Sequence, residues 1–146
     1  MLRRILFGSE ISGTSLANLG LTLLRMFAGF GLITHGLGKL PPSEKFIAGV
    51  ANIGFPFAAA FAWAASLAEF AGGALLLIGL LTRPASFFIL FTMCVAIFGV
   101  HFKAPFGEKE MALLYGFIAL GFLTMGAGNW SVDALLQRAP TSKKKR

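Results

Sequence analysis

Apolar residues run along this chain in four long stretches separated by short polar or proline-rich breaks. Leu16 to about Gly38 is the first, Phe55 to Leu81 the second, Pro84 to Val100 the third and Met111 to about Ala127 the fourth. A helix needs roughly 20 apolar residues to cross a hydrocarbon layer about 30 Å thick. The pattern therefore predicts four membrane spans, the last two near the lower length limit. Pro41-Pro42 closes the first span, because proline cannot continue a helix. Pro56 and Pro84 fall in the first turns of spans two and three, where the missing N–H leaves nothing unpaired. Leu81-Thr82-Arg83 is a tight connection, so spans two and three should be antiparallel neighbours. Residues 39–54 and 101–110 read as loops. Gly126-Ala127-Gly128 ends span four, and Trp130 follows where an interfacial aromatic anchor belongs.

The ends of the chain look different. Gly8 to Gly13 interrupts any signal-peptide core, and Met1 to Phe7 reads as a short interfacial helix with Leu2, Ile5 and Leu6 toward lipid. Ser131 to Arg138 reads similarly, with Ser131 as a cap and Asp133 favouring the helix N-terminus. The expected fold class is an all-α, integral membrane four-helix bundle with short interfacial helices at both ends. Residues 1–15 form an N-terminal interfacial segment, 16–128 the four-helix domain, and 129–146 an interfacial helix and basic tail.

Composition excludes the alternatives. Of 146 residues, 56% are hydrophobic and 13% charged, about half the charge of a soluble domain, with 18 Gly and 16 Phe. Disorder is excluded by hydrophobicity, and a disulfide scaffold by the single Cys94. The net charge of +7 sits mainly at the chain ends, which argues against a nucleic-acid partner. Arg3, Arg4, Arg83, Arg138, Lys143, Lys144, Lys145 and Arg146 fall on one side of the membrane, against Lys39, Lys45, Lys103 and Lys109 on the other. Cytoplasmic loops carry the excess of Lys and Arg. Both termini are therefore expected in the cytoplasm, in a multi-pass protein of a bacterial inner membrane.

Chemistry enters with the charges inside the spans. An ionised group in hydrocarbon costs at least about 2.5–3.5 kcal/mol, so it is kept when paired or functional. Arg25 in span one and Glu69 in span two lie at matching distances from one membrane face, about 14 and 18 Å at 1.5 Å per residue. An Arg25–Glu69 ion pair is expected between them. Ala62, Ala65, Ser66, Gly72 and Gly73 share the Glu69 face, and Thr22 and Gly29 flank Arg25, so small residues should let the two helices approach. A second polar group gathers toward the outer side. His35 and Lys39 are four apart on one face, His101 ends span three, and Glu110 starts span four with Tyr115 about a turn deeper. These groups could bind an anion or relay protons. Metal-ligand, nucleotide-loop and thiol-pair motifs are absent from the sequence.

In order and spacing these elements resemble the DoxX-like family of small four-helix membrane proteins. The resemblance rests on Arg25 with His35-Gly36-Leu37-Gly38-Lys39, Glu69 with Gly72-Gly73, and the Leu77 to Arg83 exit of span two. His101, Glu110 with Tyr115, Gly126-Ala127-Gly128 and Ser131-Val132-Asp133 complete it, over about residues 16–136. It implies association with membrane redox complexes, some relatives being subunits of thiosulfate:quinone oxidoreductase. Three functions follow as expectations. The first is the membrane subunit of a quinone-linked oxidoreductase, acting with a partner subunit. Phe87, Phe88, Phe91, Phe98, Phe117 and Phe122 would then line an isoprenoid tail. The second is a non-catalytic scaffold in a larger membrane complex or homo-oligomer. The third is a transporter for a small solute or ion.

Overall fold

The computed structural model describes residues 14–138, and among them every regular element is helical. In chain order these are α1 (Ser15–Leu37), α2 (Glu44–Asn52), α3 (Ala58–Ile78), α4 (Thr82–Val95) continued by a π-helical turn (Ala96–Val100), α5 (Phe106–Met125) and α6 (Val132–Arg138). The expected helix over Met1–Phe7 and the basic tail at Lys143–Arg146 lie outside the described residues. Three helices, α1, α3 and the continuous Thr82–Val100 rod, are long and apolar enough to cross a membrane. The α5 helix is 20 residues long but starts at Phe106, ahead of the expected Met111, and so takes Glu108, Lys109 and Glu110 into its first turns.

One element departs from the sequence reading. Residues 39–54 do not form a plain loop, because they contain α2. The Ser43 hydroxyl caps it, accepting from the Phe46 N–H at 3.2 Å, and Glu44 in the first turn opposes the helix dipole. Its apolar face, with Phe46 and Ile47 half-buried and Val50 buried, packs on α3. Nine residues are too few to cross a membrane, so no hydropathy stretch announces this helix.

The interior is built of small or medium side chains, with Ala28, Leu32, Leu76, Ile89, Met93, Tyr115, Ala119 and Phe122 in one cluster. Large apolar groups such as Phe27, Phe30, Phe88 and Phe117 point outward. Phe122 is therefore core, a correction to its expected place along a lipid tail, whereas Phe98 and Phe117 are exposed.

The closest helix pair is α1 against α3, as their small residues predict. A Cβ on Gly29 would sit 2.7 Å from the Gly73 carbonyl oxygen, and one on Gly73 would lie 2.9 Å from the Gly29 carbonyl. Only glycine allows the two backbones to come this near, which in lipid is a main source of helix association. These contacts also fix the register. Gly29 faces Gly73 and Leu77, and Gly36 faces Phe70. The two helices are consequently staggered. The N-terminal turns of α1 run past the end of α3, and the N-terminal half of α3 runs past the end of α1, where α2 covers it. This stagger sets both polar clusters described next.

Candidate functional site

The first cluster forms where α3 turns into α4. Arg25 is 2% exposed, yet it does not meet Glu69. Its Nη1 donates to the Leu76 carbonyl at 3.1 Å and its Nη2 to the Trp130 carbonyl at 2.9 Å. A cation on the last carbonyls of α3 opposes the negative end of the helix dipole. Gly79 makes room for it: this residue is left-handed (φ 71°), and a Cβ there would overlap the Arg25 guanidinium and Ser131. Asp133, also 2% exposed, comes in from α6. Its two carboxylate oxygens accept from the Leu81 N–H at 2.8 Å and the Thr82 N–H at 2.9 Å, and its own N–H donates to the Gly79 carbonyl at 2.8 Å. The carboxylate thus caps the N-terminus of α4 from another part of the chain. Ser131 caps α6 as expected, accepting from the Ala134 N–H at 3.2 Å.

The expected Arg25–Glu69 pair is thus corrected, and the stagger is the reason. Depth was judged from the ends of the spans as though those ends were level. In the register set by the glycines, Arg25 is level with the C-terminal end of α3. Glu69 is level with the C-terminal end of α1, roughly 16 Å away at 1.5 Å per residue. Arg25 and Asp133 belong to the turn between α3 and α4 and hold it in place.

The second cluster forms around Glu69. Its side chain is 3% exposed, and both carboxylate oxygens accept from Lys39 Nζ, at 2.6 and 2.7 Å. Lys39 lies just beyond the end of α1, so the chain carries its ammonium inward as it turns. The Ser66 hydroxyl anchors that turn, donating to the Ala62 carbonyl at 2.9 Å and to the Lys39 carbonyl at 3.3 Å. The ammonium also lies 5.9 Å from the centroid of the Phe46 ring, within reach of a cation–π attraction from α2.

Beside the ion pair is a cavity of about 180 Å³. Its polar lining is His35, Lys39, Glu69, His101, Glu108 and Tyr115, and Leu32, Met93, Ala96 and Met111 supply apolar walls. The rings of His35 and Tyr115 meet edge to face with centroids 5.7 Å apart. Gly31 leaves the space for the Tyr115 hydroxyl, since a Cβ there would overlap it. Tyr115 is only 9% exposed, and its hydroxyl makes no hydrogen bond to any described residue. His101 Nδ1 stands 3.9 Å from Glu108 Oε2 at the rim, where both side chains are partly exposed.

Of the residues expected to form a site, the fold brings together His35, Lys39, Glu69, His101 and Tyr115. Arg25 is elsewhere, and so is Glu110, which is exposed and does not line the cavity. Glu108 takes that place because α5 starts early. Glu108, Met111, Ala112 and Tyr115 then follow the i, i+3, i+4, i+7 spacing of one helix face, while Glu110 points away. Cys94 is a free, half-buried thiol within α4.

Comparison with known proteins accords with this picture. The family model described as DoxX matches residues 20–102. An uncharacterized protein of Haemophilus influenzae is 31% identical over 121 residues, covering 77% of this chain and 87% of the relative. An uncharacterized membrane protein of Mycobacterium tuberculosis is 29% identical over 136 residues, covering 82% of each. No solved structure matches the chain. With its span-length apolar helices, its glycine-paired α1 and α3, and this match over more than half its length, the chain is a multi-pass membrane protein belonging to the DoxX family.

Proposed function

We propose that this protein is the membrane subunit of a quinone-linked oxidoreductase complex of the bacterial inner membrane, and that the Glu69 cavity holds the quinone headgroup. In this reading α5 makes a fourth crossing and both termini are cytoplasmic. The reading is carried by one observation: the Tyr115 hydroxyl, which makes no hydrogen bond to a described residue, lines the same cavity as a Lys39 ammonium that has a third proton to give. A quinone head is flat, with two carbonyl oxygens that only accept hydrogen bonds. Tyr115, Lys39 and His35 are donors of the complementary kind, and Leu32 and Met93 offer apolar contact to the ring. A ligand oxygen that accepts from this hydroxyl gains about 1 kcal/mol, the net worth of one hydrogen bond, over a ligand that does not.

When bound, the quinone supplies an acceptor for two electrons and two protons. The electrons come from a partner subunit, and this chain's residues orient the ring and hold protons near its oxygens. Glu69 holds Lys39 aimed at the cavity. His101 and Glu108 at the rim offer a hydrogen-bonding route between the cavity and water. The test is titration of the purified protein in lipid nanodiscs with a tail-less benzoquinone. Tyr115→Phe and Glu69→Gln should each weaken binding by about fivefold or more, the equivalent of one net hydrogen bond of about 1 kcal/mol. Wild-type affinity in both variants, or no binding by the wild type, overturns the reading.

A further inference from the structure

On the lipid side of the α3–α4 seam lies a second cavity, of about 360 Å³ and almost without polar lining. Ala65 and Ala68 of α3 form one wall, and Phe87, Phe88, Phe91 and Val95 of α4 form the other. Val50 of α2 and Ile53 just after it also line it. Its position relative to the polar cavity is what gives it meaning. Ala68 lines the apolar groove and Glu69 the polar cavity; Thr92 lines the groove and Met93 the cavity; Val95 lines the groove and Ala96 the cavity. At three places on two adjacent helices, consecutive residues face opposite chambers. The two chambers therefore lie on opposite sides of the α3–α4 seam. Ala65, Ala68 and Ala96 bring only methyl side chains to this level of the two helices, and on the α4 side the helix passes into its π-helical turn at Ala96. A π-turn breaks the regular hydrogen-bond ladder and recurs at functional sites.

We infer that the two cavities are one binding site for an amphiphile, with its polar head beside Lys39 and Glu69 and its apolar tail in the groove between α3 and α4. The inference rests on the headgroup reading above and adds to it the ligand's shape and its entry through the seam from the bilayer. The groove belongs to two span-length helices, so its contents exchange with hydrocarbon rather than with water. A tail moving from lipid into the groove gains no hydrophobic energy. It gains only close packing against alanine and phenylalanine. The head thus supplies most of the affinity, and the tail supplies selection for a chain-bearing ligand.

The experiment compares a tail-less benzoquinone with the same ring carrying a decyl chain, both titrated against the full chain in nanodiscs and expressed per mole of lipid. Ala65→Phe fills the groove. It should weaken the tailed ring about fivefold and leave the tail-less ring unchanged, while Lys39→Met weakens both. Phe88→Ala, at an exposed position of the opposite wall, provides a second variant that loosens the groove without crowding it. It should also weaken the tailed ring alone. A decyl chain ending in a photoreactive diazirine should label residues 50–68 and 87–95. If Ala65→Phe and Phe88→Ala change neither probe, or if label appears only elsewhere, the groove assignment is overturned while the headgroup reading stands. If the wild type binds neither probe, both fall together.

Discussion

Arg25 with Asp133 and Lys39 with Glu69 are made of the same materials, a cation and a carboxylate taken out of water between helices, yet they behave as opposites. Asp133 spends its oxygens on the Leu81 and Thr82 N–H groups, and Arg25 spends its Nη atoms on the Leu76 and Trp130 carbonyls. Their partners are backbone, fixed by the fold and unable to move away. Glu69 spends its oxygens on one flexible side chain, Lys39, which is 39% exposed and borders a cavity with three further polar rings. A buried charge tied to backbone belongs to the architecture. One tied to a side chain at a cavity can change partners when a ligand arrives.

The largest effect should come from the architectural pair. Asp133→Ala removes two charge-assisted hydrogen bonds and leaves Arg25 buried without its nearby counter-charge, a loss of about 3–5 kcal/mol. Unfolding in mild detergent measures it. A change below 1 kcal/mol would show that the turn between α3 and α4 does not depend on this carboxylate. Next in size is Lys39→Met, which strands the Glu69 carboxylate and should destabilise by about 2–3 kcal/mol. Adding Glu69→Gln should recover much of that loss. The coupling energy from this double-mutant cycle is expected to exceed about 1 kcal/mol, whereas the Arg25→Met and Glu69→Gln cycle should be additive to within about 0.5 kcal/mol. The reverse ranking would restore the pairing that the sequence implies.

Smaller effects separate binding from stability at the cavity. Tyr115→Phe removes a hydroxyl that makes no hydrogen bond to a described residue, so stability should stay within about 0.5 kcal/mol, while affinity for a tail-less benzoquinone falls about fivefold. Loss of stability without loss of binding would make Tyr115 part of the core alone. Gly31→Ala is the mildest case. Its new methyl displaces the tyrosine hydroxyl, which lies at the end of a side chain able to swing, and affinity should drop about twofold, below 1 kcal/mol. An unchanged affinity would mean that the hydroxyl is not held where the ligand needs it.

Much of this was legible from the chain alone. Hydropathy located α1, α3 and α4 to within a few residues, because a hydrocarbon layer imposes length and apolarity on each crossing separately. Gly29 and Gly73 marked the α1–α3 contact, because close approach in lipid needs small residues. His35 and Lys39 do reach one cavity, but Lys39 arrives there from the turn after α1 rather than from the helix face that their four-residue spacing implies. The short α2 was invisible to a hydropathy reading, and its cap and amphipathic face are local signals that a search for long apolar stretches passes over. Glu108 was displaced in favour of Glu110 by a start of α5 judged too late, and a shift of two residues turns a side chain to the other face.

The sequence by itself determined which segments are helical and apolar and which charges must find partners, since these follow from the cost of bare polar groups in lipid. The tertiary structure alone decided who pairs with whom. The meeting of Lys39 with Glu69, and of Asp133 with the start of α4, depends on a stagger of two helices set by where glycine backbones touch, and no periodicity along a single chain encodes that offset.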